Sequence, residues 1–222
     1  MNWSSLWTAT YETLLMTIIS SLLAYVVGVP LGVVIYVTSK DGPHPNKWVN
    51  IILGGLVNIL RSIPCMLLII VLLPLTRSIV GRGTGVWYTM LIPLFFASFP
   101  FVSRMVEQSL SEVKHDEVEA LESMGATTKE VITKVLIPEA KPSLISGFSV
   151  SAISILAYTS FAYDFGAGGL ISSAYSFYSA HTGNYLSSPN IWIIILVVLI
   201  IVQLLQEGGL FLARKTDKRK AH

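Results

Sequence analysis

Five stretches of this chain are apolar for about 20 residues or more, the length an α-helix needs to cross roughly 30 Å of hydrocarbon. They cover 13–37, 48–73, 86–106, 144–163 and 191–212. Lipid offers a backbone no hydrogen-bonding partner. Each run must therefore pair its own N–H and C=O groups, as a helix does, or close into a barrel. Barrel strands alternate apolar and polar residues, and these runs do not. The expected fold class is all-α, a polytopic membrane protein with five transmembrane helices. Gly28, Pro30 and Gly32 are tolerated in a spanning helix and predict a kink or a close helix contact. The first residues lack the basic stretch of a cleavable signal, so the first run is expected to be retained behind an external segment, 1–12.

Composition agrees. Charged residues make up 13% of the chain, against about a quarter in soluble domains, too few to coat a water-facing surface. The single cysteine, Cys65, lies in an apolar run, which excludes an intrachain disulfide and a cysteine-rich metal site. It is expected to pack against lipid or core. His44, His115, His181 and His222 are scattered, with no metal-ligand spacing and no Ser-His-Asp arrangement.

Lysine and arginine set the expected orientation, because positive loops stay in the cytoplasm. Lys40 and Lys47 follow the first run, and Lys114, Lys129, Lys134 and Lys141 separate the third from the fourth. Arg214, Lys215, Lys218, Arg219 and Lys220 crowd the tail, 207–222, which reads as a cytoplasmic anchor rather than a nucleic-acid patch. The first twelve residues and the 164–190 loop hold none. The N-terminus is thus expected outside and the C-terminus inside, with Arg77 and Arg82 counting against the rule. Trp87, Tyr88 and Trp192 would sit at the outer interface. No inverted duplication of hydropathy is evident, as many secondary carriers would show. Five spans cannot be halved, and one copy makes a poor pathway, so a dimer is expected.

The segment at 114–138 predicts two short helices with a sharp joint. The first covers 114–124 and ends at Gly125, which suits a left-handed cap. Thr127 and Glu130 form a capping-box pattern that opens the second. Pro138 is expected to stop it near Leu136, and Pro142 to lie in the first turn of the fourth span. Val118, Leu121, Met124, Val131, Ile132, Val135 and Leu136 give the pair an apolar face. That face could lie on the membrane, pack on the chain's own spans, or dock in a partner's groove.

Glu119-Ala120-Leu121, three residues, Gly125, nine residues, then Val135-Leu136-Ile137-Pro138 resembles the EAA motif of bacterial ABC importer permeases. Leu121 replaces the family's second alanine, and Val135 and Ile137 replace Ile and Leu. Further stretches (Leu60 to Pro64, Thr76 to Gly81, Pro100 to Arg104 and Gly166 to Leu170) resemble the methionine-permease branch, and the likeness covers roughly 13–206. It implies a type I importer transmembrane domain over 13–206. It also implies that the 114–138 segment, through Glu119, Ala120, Leu121, Gly125 and Pro138, couples to a separate ATPase. Expected partners are a second copy, two cytoplasmic ATPase subunits, an external substrate-binding lipoprotein and membrane lipid, with no nucleic acid. No Gly-x-x-x-x-Gly-Lys-Ser/Thr occurs, so ATP and Mg are expected on the ATPase, and no cofactor or metal on this chain.

Candidate pathway residues are Arg61, Ser62, Pro64, Tyr158 and Phe161. An intramembrane arginine is costly and faces protein or water. Arg61 could meet a substrate carboxylate, form a gate, or pair structurally with a carbonyl, Glu107 or Asp164. The resemblance places Tyr158 and Phe161 at a constriction between subunits, with helix packing as the alternative. Tyr163 and Asp164 stand where the branch carries small residues. Asp164 could favour a cationic amino group or touch the binding protein. A stand-alone carrier would need intramembrane ion sites, for which Arg61 and Asp164 are the candidates. A membrane enzyme would need clustered His, Cys or paired carboxylates near one membrane face, and the sequence gives no sign of such a cluster.

Overall fold

The computed structural model describes residues 3–180 and 189–217. Lys218, Arg219, Lys220, His181 and His222 lie outside the described residues. The described residues fold into helices and connecting loops, with no strand among them.

Helix α1, Trp3–Val37, begins ten residues before the apolar run does. At 1.5 Å per residue it is about 52 Å long. Pro30 sits inside it. Gly28 and Gly32 bring it against α4, Leu91–Ser111: an added Cβ would fall 2.7 Å from Val102 Cγ1 and 2.4 Å from the Ser103 carbonyl. The close-contact reading of these glycines holds. Two buried hydroxyls in α1 bond back into their own helix, Thr17 to the Thr13 carbonyl at 2.8 Å and Ser21 to the Thr17 carbonyl at 2.6 Å.

The second apolar run is not one helix. It divides into α2, Lys47–Ser62, and α3, Cys65–Val80, bent by 105°. The cause is Pro64, which disfavours helical geometry in the residue before it. Ile63 is extended at φ −80°, ψ 122°. The described residues therefore hold four helices long and apolar enough to span, or five counting the bent pair as one.

A 3₁₀ turn, Trp87–Met90, leads into α4. Helix α5, His115–Ser123, and the single turn α6, Thr128–Val131, form the joint. A π-helical turn, Ile132–Leu136, then runs straight into α7, Ile137–Tyr158, and a 3₁₀ turn, Thr159–Ala162. Helix α8, Leu170–Ala180, and α9, Pro189–Thr216, complete the chain, with α9 crossing position 207 unbroken.

Three apolar clusters hold the bundle. One joins α1 and α4 to the joint and the start of α7. A second joins α1, α7, α8 and α9. The third gathers Met16, Ile69, Met90 and Leu94 with Ala162 and Ala167. Leu22, Val26, Ile52 and Leu204 remain about half exposed or more, a surface suited to lipid or a neighbouring protein.

Candidate functional site

The joint is built as its sequence dictates. Asp116 and Glu117 lie in the first turn of α5, where carboxylates favour the positive end of the helix dipole. Gly125 ends α5 at φ 81°. Its N–H donates to the Glu122 carbonyl at 2.8 Å, and the Ala126 N–H reaches the Leu121 carbonyl at 3.3 Å. These two bonds define a Schellman cap. Thr127 and Glu130 close a reciprocal capping box, 3.4 Å from the Glu130 N–H to Thr127 Oγ1 and 3.0 Å from the Thr127 N–H to Glu130 Oε2. Lys134 Nζ donates to Glu130 Oε1 at 2.7 Å. Lys134 and the Thr127 donors together hold the exposed Glu130 carboxyl down at about 2. The rod from Thr128 to Ala162 is 35 residues, about 52 Å against roughly 30 Å of hydrocarbon, so its first turns project beyond the lipid.

Most of the apolar face of the joint packs on the chain's own spans. Val118, Val131 and Leu136 are buried beside Tyr36, Val37, Val106 and Leu110, with Leu121, Ile132 and Val135 half-buried around them. Met124 departs from the expected face and is 83% exposed. Glu119, Ala120, Ser123 and Gly125 are exposed with it. The outer surface of α5 is thus free to meet something else, while its inner surface is fixed to the bundle.

Pro138 does not stop a helix. It lies at the start of α7, and the Ile137 N–H bonds to the Ile132 carbonyl, five residues back. A proline ring clashes with the carbonyl four residues before it in an α-helix. The π turn widens the ladder there by one residue, and the rod continues. Pro142 consequently sits inside α7 rather than in a first turn.

A groove of about 1020 Å³ opens between α4, α7 and the end of α9. Asp41, Glu112, Glu139, Arg214 and Asp217 line it near the 38–46 loop. Arg61, Phe101, Arg104, Glu107 and Val150 line it farther along the helices. Arg61 is exposed into it and forms no ion pair among the described residues. The structural pairing open to Arg61 is taken instead by Arg104, whose Nη1 bonds to Glu107. Arg104 also donates from Nε and Nη2 to Asn58 Oδ1, at 3.1 and 2.9 Å, and from Nη2 to the Gly54 carbonyl at 2.9 Å. It pins α2 to α4. That clamp joins residues 46 to 50 positions apart, and no local pattern announces it.

The other candidates cluster at the bend. The Ser62 hydroxyl bonds back to the Asn58 carbonyl at 2.8 Å, and exposed Pro64 caps α3. Tyr158 and Phe161 are half-buried in the third apolar cluster with Cys65. Phe161 and Tyr158 do not line the groove that Arg61 lines. Asp164 is exposed.

The Gly166 to Leu170 stretch is a close approach of backbones, as its glycines suggest. Glu12 Oε2 accepts the Gly169 N–H and Thr13 Oγ1 accepts the Leu170 N–H, each at 2.9 Å. A Cβ on Gly168 would fall 2.2 Å from Glu12 Oε2. A carboxylate from α1 thus caps the N-terminus of α8.

Comparison with known proteins follows the same lines. The chain matches the family described as "Binding-protein-dependent transport system inner membrane component" over residues 28–207. It is 36% identical to the probable D-methionine transport system permease protein MetI of Vibrio cholerae, over 99% of this chain and 95% of that one. It is 44% identical to the methionine import system permease protein MetP of Bacillus subtilis, over 89% of each. A chain of the MetNI methionine ABC transporter, solved in inward-facing conformations, superposes with a TM-score of 0.90 at 32% identity, over 98% of this chain and 100% of that one. A chain of an amino acid ABC transporter solved with histidines shares the fold alone, at a TM-score of 0.76 and 17% identity over 96% of this chain and 94% of that one. With its bent second span, its capped joint and four-fifths of its length inside the family's bounds, the chain belongs to the inner membrane components of binding-protein-dependent transport systems.

Proposed function

We propose that this chain is the permease subunit of an ATP-driven importer for methionine or a closely related amino acid. The observation that carries the reading is the joint. Its inner face is welded to α1, α4 and α7, while its outer face presents Glu119, Ala120, Ser123 and Met124 without cover. A surface built that way suits a docking element that passes motion into the bundle. The names of the MetI, MetP and MetNI relatives support the substrate.

In this reading two copies form the pathway over residues 13–206, and two ATPase subunits bind ATP and Mg and grip the α5 surfaces. An external binding protein delivers substrate to the end bearing Asp164. The N-terminus lies outside, the joint and the basic tail, 207–222, in the cytoplasm. Arg61, Ser62, Pro64, Tyr158 and Phe161 face or flank the path. Substrate and nucleotide shift the inward–outward equilibrium only by their different affinities for the two states. Tyr163 and Asp164 favour a second reading of the cargo, a methionine precursor or another amino acid, since they add bulk and charge just past the 3₁₀ turn that follows α7.

The test is uptake of radiolabelled methionine into proteoliposomes holding the permease, its ATPase and the binding protein. Uptake should require ATP and vanish in Glu119→Lys or Gly125→Pro, with both variants still inserted and ATP hydrolysis continuing. Normal uptake in either variant, or equal uptake without the ATPase, would sink the proposal.

A further inference from the structure

Resting on that reading, we propose that Arg61 forms a substrate subsite in the groove, receiving the carboxylate of a zwitterionic amino acid, and that Arg104 is a positioning residue that holds it there. Two arginines line the inner part of the groove, and the structure uses them differently. Arg104 spends its guanidinium on Glu107, Asn58 and Gly54, so its charge is matched and four of its five N–H donors are occupied. Arg61 lines the same groove with no ion pair among the described residues. It lies 14 residues beyond Lys47 on α2, about 21 Å along the helix. A cation at that depth needs water or an anion to offset its desolvation. Guanidinium geometry favours a carboxylate that can accept two parallel N–H bonds.

The surroundings select the rest of the ligand. Among the described residues, Asp41 and Glu112 line the groove near the 38–46 loop beside Arg214. An amino acid held by its carboxylate at Arg61 therefore has carboxylate oxygens farther along the groove for its ammonium to face. Phe101, Met105 and Val150 supply apolar lining for a side chain.

Arg104 acts through α2. That helix buries only Gly54 and Val57, so its apolar hold on the bundle is thin. Asn58, gripped by Arg104, lies one turn before Arg61, and residues three apart share a helix face. Releasing Asn58 would free the turn that aims Arg61.

The experiment is equilibrium binding of radiolabelled L-methionine to the purified, nucleotide-free permease–ATPase complex, with L-methionine and L-methioninamide as competitors. The amide keeps the ammonium and loses the carboxylate. Wild type should prefer the acid over the amide at least tenfold. Arg61→Gln should bring that ratio close to one, Arg61→Lys should keep most of it, and Arg104→Gln should fall between. An unchanged ratio in Arg61→Gln, or no saturable binding to wild type, overturns the subsite. Either result would leave ATP-dependent uptake by wild-type proteoliposomes intact, whereas absence of that uptake overturns the underlying functional reading.

Discussion

Removing the Glu12 side chain should release the N-terminus of α8 from α1. In Glu12→Ala the Gly169 N–H loses its carboxylate partner, while Thr13 still accepts the Leu170 N–H. A hydrogen bond to a charged group contributes about 1.5–3 kcal/mol, and a carboxylate at a helix N-terminus about 0.3–1 kcal/mol through the dipole. The site is only partly buried, so a net loss of roughly 2 kcal/mol is the reasonable figure. That multiplies transient opening of the α8 start about 30-fold. Hydrogen–deuterium exchange of the peptide covering 166–175, in lipid nanodiscs, reads this directly. Exchange should accelerate there by more than tenfold and stay constant in α4. A crossed variant sharpens the test. Gly168→Ala places a Cβ 2.2 Å from Glu12 Oε2, so its cost should shrink when Glu12 is already alanine. Exchange within about twofold of wild type in Glu12→Ala would refute the idea that this carboxylate secures α8.

Gly125→Ala meets no neighbouring atom, so it should cost only the left-handed backbone, about 1–2 kcal/mol. It should lower uptake more than insertion, read by comparing transport with membrane yield. Gly32→Ala drives a methyl into the Ser103 carbonyl, an overpacking of about 1–3 kcal/mol that should lower the melting midpoint in detergent. Pro138→Ala removes the ring clash that favours the π turn. The Ile132–Leu136 segment should relax toward α geometry, turning the joint about 100° relative to α7 and halving uptake or worse with the chain still inserted. The Glu130 carboxyl is lowered from 4.5 to about 2, so its capping contribution is complete above pH 4.5 and fades as pH falls through 2. Exchange at 127–131, corrected for intrinsic rate, should therefore be equally protected at pH 5 and pH 7, and Glu130→Gln should loosen it equally at both.

Local chemistry was legible and long-range chemistry was not. The Gly125 cap and the Thr127–Glu130 box involve residues within a few positions of one another, so their sequence pattern and their geometry coincide. The spans were visible because lipid rewards uniform apolarity, but the same uniformity hid the break at Pro64. Hydropathy is blind to a bend when both arms are apolar, and the usable signal was the proline's restriction on Ile63. Pro138 misled in the opposite direction, because a π turn absorbs the clash that normally ends a helix. The start of α1 lies ahead of its apolar run, and hydropathy could not show it, because Glu12 there is satisfied by a glycine amide 157 residues away. Arg104 carried no warning for the same reason.

The unbroken run from Thr128 to Ala162 makes the capped joint and the far end of α7 two ends of a single lever. With a fulcrum midway, a tilt of only 5° would swing each tip by about 2 Å over the roughly 52 Å length. A hinge at Pro138 would have absorbed such a push, whereas a stiff shaft hands it on to the turn that carries Phe161.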